Sequence, residues 1–358
     1  HGLRAAGCAP GDVVPGGSRA AGCHGSRSSS GADRSRRTRI RVPERAPAAC
    51  PSAGSAAADR APSVRTPAVG AHGSAHAGSL PAAASRPASS AVSCEIEVEL
   101  AELAQEIARE AGALAQRRRR EGVTLAATKT TLADIVTEAD REVEALIRTR
   151  LDAARPGDGF LGEESEAAQG DTGITWVVDP IDGTVNYATG IPAYNVSIAA
   201  VRGTADPASW QHLAGVVFAP ALGELFSAAR GHGAWLGDER LAVTDETPAG
   251  ALLATGFGYD PATHDGDIET VRRVMPIARD LRRMGAAALD LAYVAAGRLD
   301  GYFERGLKPW DFAAGALLVR EAGGEVSRFD IDPSRPLIVA GGSAVHARLI
   351  ERIGAKDE

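Results

Sequence analysis

The most informative motif of the chain reads Trp176-Val177-Val178-Asp179-Pro180-Ile181-Asp182-Gly183-Thr184-Val185-Asn186-Tyr187. Its apolar half, residues 176–178, predicts a buried strand, and Pro180 bars a helix from following it. Asp179 and Asp182 are therefore expected in a short loop at the end of that strand. Gly183 lets a ligand approach the backbone closely, and Thr184 offers a hydroxyl and an N-cap for a helix whose first amides attract anions. Carboxylates for a cation beside amides for a phosphate predict metal-assisted phosphate chemistry.

Outside this motif, the composition changes sharply near Ser93. Residues 1–93 are rich in Ala, Gly, Ser, Pro and Arg and contain no Lys, Trp, Tyr or Phe. Because such a segment buries too little apolar surface to offset its chain entropy, we predict that it is disordered.

Three interpretations of this leader stay open: an organelle transit peptide, a basic arm for nucleic acid, and upstream translated sequence outside the mature protein. The last is favoured, because the chain starts with His1 and not with Met. The basic arm would consist of Arg34, Arg36, Arg37, Arg39 and Arg41.

Residues 94–358 are interpreted as one catalytic domain, with an N-terminal α+β part near 94–250 and a C-terminal α/β part near 251–358. The formal net charge of the whole chain is -7, and the Arg excess of the leader makes the remaining residues more acidic still. An acidic body argues against a nucleic-acid-binding core.

The cysteines indicate a reducing compartment. All four lie in or at the border of the leader, at Cys8, Cys23, Cys50 and Cys94. The body is therefore expected to have no disulfide and no thiolate metal site, and we predict a cytoplasmic protein. No apolar run reaches the roughly 18 residues that a membrane span needs, so no transmembrane helix is expected.

Apolar periodicity predicts helices and strands in mixed order. The predicted helices span 95–120, 267–278, 285–296, 312–322 and 344–353, and another starts at Thr137. The predicted strands span 159–165, 176–178, 196–201, 212–219, 223–229, 252–257, 300–304 and 337–340. Strand runs dominate the first half and βα units the second. This order predicts an α+β or α/β fold of layered sheets with helices between them.

Several acidic residues have ordinary structural explanations when each is taken alone. Asp140 follows Thr137 by three residues, which is the spacing of a capping box. The adjacent Glu163 and Glu164 are typical of a solvated surface. Asp311 precedes a predicted helix and is explained as its N-cap. None of these residues identifies a site without the others.

Taken together and in order, however, they match the motifs of one family. The chain resembles the inositol monophosphatase family from residue 96 to residue 353. The matching motifs are Lys129, Asp134, Thr137 and Asp140; Gly162-Glu163-Glu164-Ser165; Asp179-Pro180-Ile181-Asp182-Gly183-Thr184; Trp310-Asp311 with Gly315; and Glu321-Ala322-Gly323-Gly324. The runs 282–291 and 295–304 are most similar to the bacterial SuhB-type branch.

The resemblance implies a layered α-β-α-β-α sandwich that forms a homodimer and depends on Mg²⁺. The implied metal ligands are Glu163, Asp179, the backbone carbonyl of Ile181, Asp182 and Asp311. All of them are oxygen donors, which favours Mg²⁺, or Mn²⁺ as a substitute, over Zn²⁺. The resemblance implies two or three ions, and metals belong to such a site because a cluster of carboxylates without cations is strongly unfavourable.

The resemblance also implies hydrolysis of a phosphomonoester by a metal-activated water, without a phosphoenzyme. Glu163 and Thr184 are the implied catalytic residues that position or deprotonate this water, and Asp140 orients the Thr184 hydroxyl. The amides of Gly183 and Thr184 hold phosphate oxygens while charge shifts among them.

Substrate contacts are implied for Asp182, Gly183, Thr184, Gly285, Ala286, Ala287, Glu304 and Asp311. Glu304 matches the position that contacts inositol hydroxyls, and its charge would repel a second phosphate. Ala286 departs from the Ser or Thr that is usual in the family, which puts tight inositol specificity in doubt. The expected substrate is inositol 1-phosphate, and inhibition by Li⁺ is expected with it.

Other functions stay open at this point. The same chemistry could act on histidinol phosphate, whose amine suits Glu304, or on another small sugar phosphate. Arg282, Arg283 and Lys308 could supply cations for a bisphosphate. A regulatory role in binding RNA or a transcription complex is the non-enzymatic alternative.

Overall fold

The structure, a computed structural model, describes residues 89–122, 125–128, 135–203, 206–245 and 249–354. The predictions for residues 1–88, and those for the motif residues Lys129 and Asp134, lie outside the described residues. Within the described ranges, no helix combines the length and the apolar character that crossing a bilayer requires.

Helices and strands follow one another in mixed order, as predicted. The helices are α1 (Ser89–Glu121), α2 (Glu138–Ala154), α3 (Thr184–Thr189), α4 (His264–Val274), α5 (Ala287–Ala295), α6 (Pro309–Glu321) and α7 (Ser343–Ile353). The strands of the first half are β1 (Leu125–Thr128), β2 (Ile135–Thr137), β3 (Gly159–Gly162), β4 (Ile174–Asp182), β5 (Asn195–Arg202), β6 (Gln211–Ala219), β7 (Glu224–Ala229), β8 (Ala234–Leu236) and β9 (Glu239–Arg240). Those of the second half are β10 (Ala251–Thr255), β11 (Ala278–Arg282), β12 (Gly301–Arg305), β13 (Glu325–Phe329) and β14 (Leu337–Gly341).

Two large sheets lie between layers of helices, and β1 and β2 form a separate two-stranded sheet. The larger sheet has the strand order β3-β4-β5-β6-β7-β8-β9, and the smaller sheet has the order β11-β10-β12-β14-β13. One apolar cluster packs α1 and α2 against the larger sheet, and a second packs α5 and α6 between the two sheets. A third packs α4 and α7 against the smaller sheet. The layered α-β-α-β-α sandwich is therefore confirmed.

Strand β4 lies in the middle of this arrangement. Trp176 and Val178 pack in the cluster that contains α1 and α2, whereas Val177 packs in the cluster that contains α5 and α6. Successive side chains of a strand point to opposite faces of its sheet, and here both faces are covered. This explains why the strand reads as a continuous apolar run and not as an alternating pattern.

The helix was predicted at 267–278, containing Pro276 or ending near it, and only its last four residues lie outside α4. Helix α4 ends at Val274, Pro276 lies in the 3₁₀ turn Met275–Ile277, and Ala278 begins the edge strand β11. Proline lacks the backbone donor that a helix needs and clashes with the preceding turn, so the helix stops before it. The predicted strand at 159–165 was also too long, because β3 ends at Gly162.

Candidate active site

The two carboxylates of the central motif lie in a strand and not in the predicted loop. Strand β4 continues through Asp182, and its pairing with β5 shifts register between Asp179 and Asp182. Such a β-bulge is one of the few places where a sheet accepts a proline like Pro180. Both carboxylates are therefore fixed by sheet pairing, and their residues are only 2% and 8% exposed.

Asp182 connects this bulge to helix α5. Its Oδ2 accepts hydrogen bonds from Asn195 Nδ2 at 2.7 Å and from the N–H of Ala288 at 2.8 Å. Its Oδ1 accepts from the N–H of Ala287 at 3.2 Å. The free N–H groups and positive end of a helix start favour a carboxylate. Asp182 therefore caps α5, and the N–H of Ala287, an implied substrate contact, is bonded to it.

Thr184 begins helix α3 as its first helical residue. The N-cap is Gly183, whose φ of 86° is a left-handed conformation that glycine adopts without strain. The prediction that Thr184 is the N-cap was therefore wrong. Its Oγ1 lies 3.1 Å from the carbonyl oxygen of Ile181 and 3.3 Å from Asp140 Oδ1. The single hydroxyl proton serves one of these acceptors at a time.

Asp140 links helix α2 to Thr184. Its Oδ2 accepts hydrogen bonds from the N–H of Thr137 at 2.9 Å and from Thr137 Oγ1 at 2.5 Å, so the predicted capping box is present. Its Oδ1 faces the Thr184 hydroxyl. Burial raises the pKa of Asp140 to about 6, although the bonds from Thr137 oppose this. One carboxylate thus caps a helix and meets a candidate catalytic hydroxyl.

Glu163 reaches the bulge from the neighbouring strand. It follows β3, which pairs in parallel with β4 and sets Gly162 opposite Val178. Because parallel strands end at the same edge of their sheet, Glu163 emerges beside Asp179. Its negative charge raises the pKa of Asp179, because the two side chains lie within electrostatic range.

Asp311 approaches from the first turn of α6. Lys308 is the N-cap of this helix, and its N–H donates to Asp311 Oδ2 at 2.6 Å. Asp311 is therefore the third helical residue, where its side chain bonds back to the cap, and the prediction that it is the N-cap was wrong.

The carboxylates of this cluster act on one another. Burial raises the pKa of Asp179 well above its ordinary value, and the charges of Glu163 and Asp182 raise it further. Burial, Glu163 and Asp182 raise the pKa of Asp311 in the same way. Burial raises the pKa of Asp182 to about 6, against the lowering effect of its N–H donors. A bound cation would relieve this repulsion.

The donor set fits hard divalent cations. Carboxylates and the Ile181 carbonyl are all oxygen ligands, which Mg²⁺ and Mn²⁺ prefer in proteins. In the part of the chain that the structure describes, no three His, Cys, Asp or Glu side chains already converge as ligands of one ion. The chemistry and the charge of the donors, and not a formed coordination shell, identify the site.

These shifts predict that the metal-free protein loses stability as pH rises. A carboxyl group with a raised folded-state pKa binds protons more tightly in the folded chain, so its ionisation above that value opposes folding. For Asp182, the pKa moves from 3.8 to about 6, which makes the loss across that window on the order of 3 kcal/mol. Melting temperatures in EDTA at pH 5 and pH 8 measure the part of this loss that falls above pH 5, which is about half of it.

Addition of Mg²⁺ is expected to reverse this trend, because the ion binds the ionised carboxylates of the folded chain only. The gain in melting temperature on adding Mg²⁺ should therefore be larger at pH 8 than at pH 5. A metal-free melting temperature that rises over this pH range, with no response to Mg²⁺, would contradict the assignment.

Glu304 lies on strand β12 of the smaller sheet. Tyr302 donates its hydroxyl hydrogen to Glu304 Oε2 at 2.5 Å. Burial raises the pKa of Glu304 to about 7, the Tyr302 bond and the Arg283 charge oppose this, and the charge of Asp182 adds to it. Glu304 also raises the pKa of Asp311. The implied polyol contact is therefore within electrostatic range of the carboxylate cluster.

The turn before α5 contains two further predicted site residues, Gly285 and Ala286. A Cβ atom on Gly183 would lie 3.1 Å from both the Cβ of Ala286 and the carbonyl oxygen of Gly285. Asn186 fixes this turn, because its Nδ2 donates to the carbonyl of Met284 at 2.8 Å. The structure thus brings the two glycine-containing turns into contact.

Two buried side-chain amides, those of Asn186 and Asn195, were not among the predicted site residues. Asn195 is fully buried opposite Asp182 and donates to it, and Asn186 joins the two turns. Asn195 directly precedes the apolar residues of β5, and a polar residue at that position could have indicated a role. Asn186 lay inside the central motif, but its partner is 98 residues away.

The fold and the carboxylate cluster together define the class of layered phosphatases that act on small phosphate esters. The model of the inositol monophosphatase family matches residues 97–356. The chain belongs to the inositol monophosphatase family and is a phosphatase, and this family is generally metal-dependent.

Individual relatives agree with this family assignment. An inositol-1-monophosphatase of Mesorhizobium japonicum is 43% identical over 228 residues, which are 62% of this chain and 83% of the relative. The Nus factor SuhB of Haemophilus influenzae is 39% identical over 253 residues, or 69% of this chain and 92% of that protein. The crystal structure of the extragenic suppressor protein SuhB from Bartonella henselae superposes with a TM-score of 0.65 at 38% identity, covering 71% of this chain and 98% of that one.

Proposed function

We propose that the chain is a Mg²⁺-dependent phosphomonoesterase that hydrolyses inositol 1-phosphate and related small polyol monophosphates. This proposal rests on four acidic residues whose charges act on one another: Glu163 after β3, Asp179 and Asp182 on β4, and Asp311 on α6. Their mutual repulsion raises the pKa values of the buried members. Such a concentration of negative charge is what holds cations against a phosphate group.

The proposed ion ligands are Glu163, Asp179, the carbonyl oxygen of Ile181, Asp182 and Asp311. When bound, two or three Mg²⁺ ions, or Mn²⁺ in their place, supply positive charge to the phosphate oxygens and lower the pKa of the attacking water. Asp182 accepts three N–H groups, and a carboxylate has about four lone-pair sites. One lone pair on Oδ1 is therefore left for a cation.

Thr184 and Glu163 are the residues that we propose for positioning the attacking water. If the Ile181 carbonyl held a cation, it would no longer accept the hydroxyl proton of Thr184. The hydroxyl would then donate to Asp140, the other acceptor within reach. This fixes the hydroxyl so that its lone pairs accept a hydrogen bond from the water. Glu163 would then take the proton that the water loses as its oxygen bonds to phosphorus; the bond from phosphorus to the ester oxygen breaks, and the alcohol leaves after gaining a proton from solvent.

The proposed contacts on the substrate side involve the turns and Glu304. Gly183 and Thr184 would donate backbone N–H groups to phosphate oxygens. The Glu304 carboxylate would accept hydrogen bonds from the hydroxyls of a polyol. Ala286 has no hydroxyl, so substrate recognition beside Gly285 depends on backbone groups and on Glu304. This arrangement suits a polyol monophosphate and tolerates related ones.

The family resemblance extends the proposal to a homodimer that Li⁺ inhibits at one of the metal positions. A second candidate function is regulatory binding within a transcription complex. It is favoured by the similarity to the Haemophilus influenzae protein, which is called a Nus factor. The two functions can coexist in one chain.

A comparison of substrates tests the proposal directly. We expect phosphate release from inositol 1-phosphate in Mg²⁺ and none in EDTA. We also expect kcat/KM to exceed that for histidinol phosphate and for glucose 6-phosphate by about tenfold, since a pocket that pairs with specific hydroxyls discriminates against substrates that lack them or place them differently. Faster turnover of histidinol phosphate would overturn the substrate assignment and leave the phosphatase chemistry intact.

A further inference from the structure

The Glu304 carboxylate rests on the backbone of Gly256. Strands β10 and β12 are parallel and set Thr255 opposite Phe303, so Gly256, which directly follows β10, lies beside Glu304 of β12. A Cβ atom built on Gly256 would lie 2.1 Å from Cδ, Oε1 and Oε2 of Glu304. Any side chain at position 256 would therefore push the carboxylate away.

Tyr302 holds the same carboxylate from the side. It lies two residues before Glu304 on β12, so both side chains point to the same face of the strand. Tyr302 is fully buried, and its hydroxyl donates to Glu304 Oε2 at 2.5 Å. A buried aromatic ring has little freedom to move, so the position of the hydroxyl is fixed.

We propose that Gly256 and Tyr302 are positioning residues that set the specificity of the enzyme for polyol monophosphates by fixing the Glu304 carboxylate. The inference rests on the proposed function, in which Glu304 accepts hydrogen bonds from substrate hydroxyls. Such bonds weaken steeply outside a narrow range of distance and angle. Displacement of the carboxylate therefore weakens the polyol contact.

The geometry of Gly256 separates this role from a structural one. Its φ is not among the left-handed values of the chain, so an alanine fits the backbone there without strain. The atoms that the new methyl group would meet belong to the end of a flexible side chain. Glu304, and not the sheet, is expected to give way.

The test measures KM and kcat for Gly256→Ala, Tyr302→Phe and Glu304→Ala with inositol 1-phosphate and with p-nitrophenyl phosphate, which has no hydroxyl groups. Because a hydrogen bond to a charged group is lost or distorted, each variant is expected to raise KM for inositol 1-phosphate about tenfold. The rise should be absent with p-nitrophenyl phosphate, and kcat should stay within about twofold for both substrates.

A double variant separates positioning from general damage. Once Glu304→Ala has removed the carboxylate, Gly256→Ala should raise KM no further, because residues that act through one group are not additive. Gly266→Ala is the matched control, since a Cβ atom there meets nothing within 4 Å and the residue lies on nearby α4.

Two results overturn the inference alone: additive effects of Gly256→Ala and Glu304→Ala, or a tenfold effect of Glu304→Ala with none from Gly256→Ala and Tyr302→Phe. If Glu304→Ala leaves KM for inositol 1-phosphate unchanged, the proposed polyol contact fails, and the positioning role fails with it. Equal loss of activity on both substrates would also overturn the specificity role.

Discussion

Replacement of Asp179 by Asn is expected to reduce Mg²⁺-dependent phosphate release by about a thousandfold or more, because metal ions supply several kcal/mol to this kind of transition state. The same change is expected to raise the melting temperature of the metal-free protein. Asp179 is 2% exposed, and burial and neighbouring carboxylates raise its pKa. An uncharged amide removes that repulsion.

The local contacts of Asp179 allow this substitution. Its Oδ1 accepts the N–H of Ile181 at 3.1 Å, and the carbonyl oxygen of an asparagine keeps that bond. Asp182→Asn is a less informative variant, because an amide N–H₂ would face N–H groups that now donate to both oxygens. Phosphate release and thermal unfolding in EDTA provide the two measurements.

Asp152→Asn provides the matched control, since Asp152 is exposed on α2; it should change neither measurement. An Asp179→Asn protein that remains active in Mg²⁺ would remove Asp179 from the site. If that variant is inactive and yet complements a deletion of the gene, the regulatory function gains support.

The second large effect is expected for Thr184→Val, which keeps the shape of the side chain and removes its hydroxyl. General acid–base groups and their positioning contribute on the order of 10²–10⁴ to rate, and we expect a fall in kcat of about a hundredfold. KM should change little, because the hydroxyl is proposed to hold the attacking water and not the substrate. Steady-state kinetics with inositol 1-phosphate measures both.

Two further variants show whether that fall in kcat is due to the lost hydroxyl of Thr184. Thr184→Ser keeps a hydroxyl and should recover most of the activity. Thr189→Val removes a hydroxyl at the other end of α3, where it donates to the carbonyl of Val185, and should leave kcat unchanged. Equal losses in the two valine variants would indicate that α3 itself is damaged and that Thr184 has no special role.

The layered fold could be predicted because its central elements carry their own sequence signals. Strand β4 is apolar from Trp176 to Val178, and α2 begins with a capping box that can be identified from two residues. Edge strands β11 and β13 were missed because they are partly exposed, with polar residues in each. Their strand conformation comes from pairing with β10 and β14, which no local pattern reveals.

The composition of the candidate site was more predictable than its geometry. Side-chain chemistry singled out Asp179 and Asp182, and the resemblance added Glu163 and Asp311. The bulge around Pro180 could not be predicted, because it depends on the partner strand β5. The same holds for the cap on α5, whose donor at Ala288 lies 106 residues from Asp182.

That cap has a consequence for how the domain unfolds. Asp182 belongs to the larger sheet and Ala288 to a helix packed between the two sheets, so one carboxylate ties together segments that are distant along the chain. Detachment of α5 removes the partner of the Ala287 and Ala288 N–H groups and of Asp182 Oδ1, and leaving such groups unpaired in a buried place is costly. The two parts of the domain are therefore expected to unfold together in one cooperative transition. Hydrogen exchange at the Ala287 and Ala288 amides should then occur only through global unfolding and not through local opening.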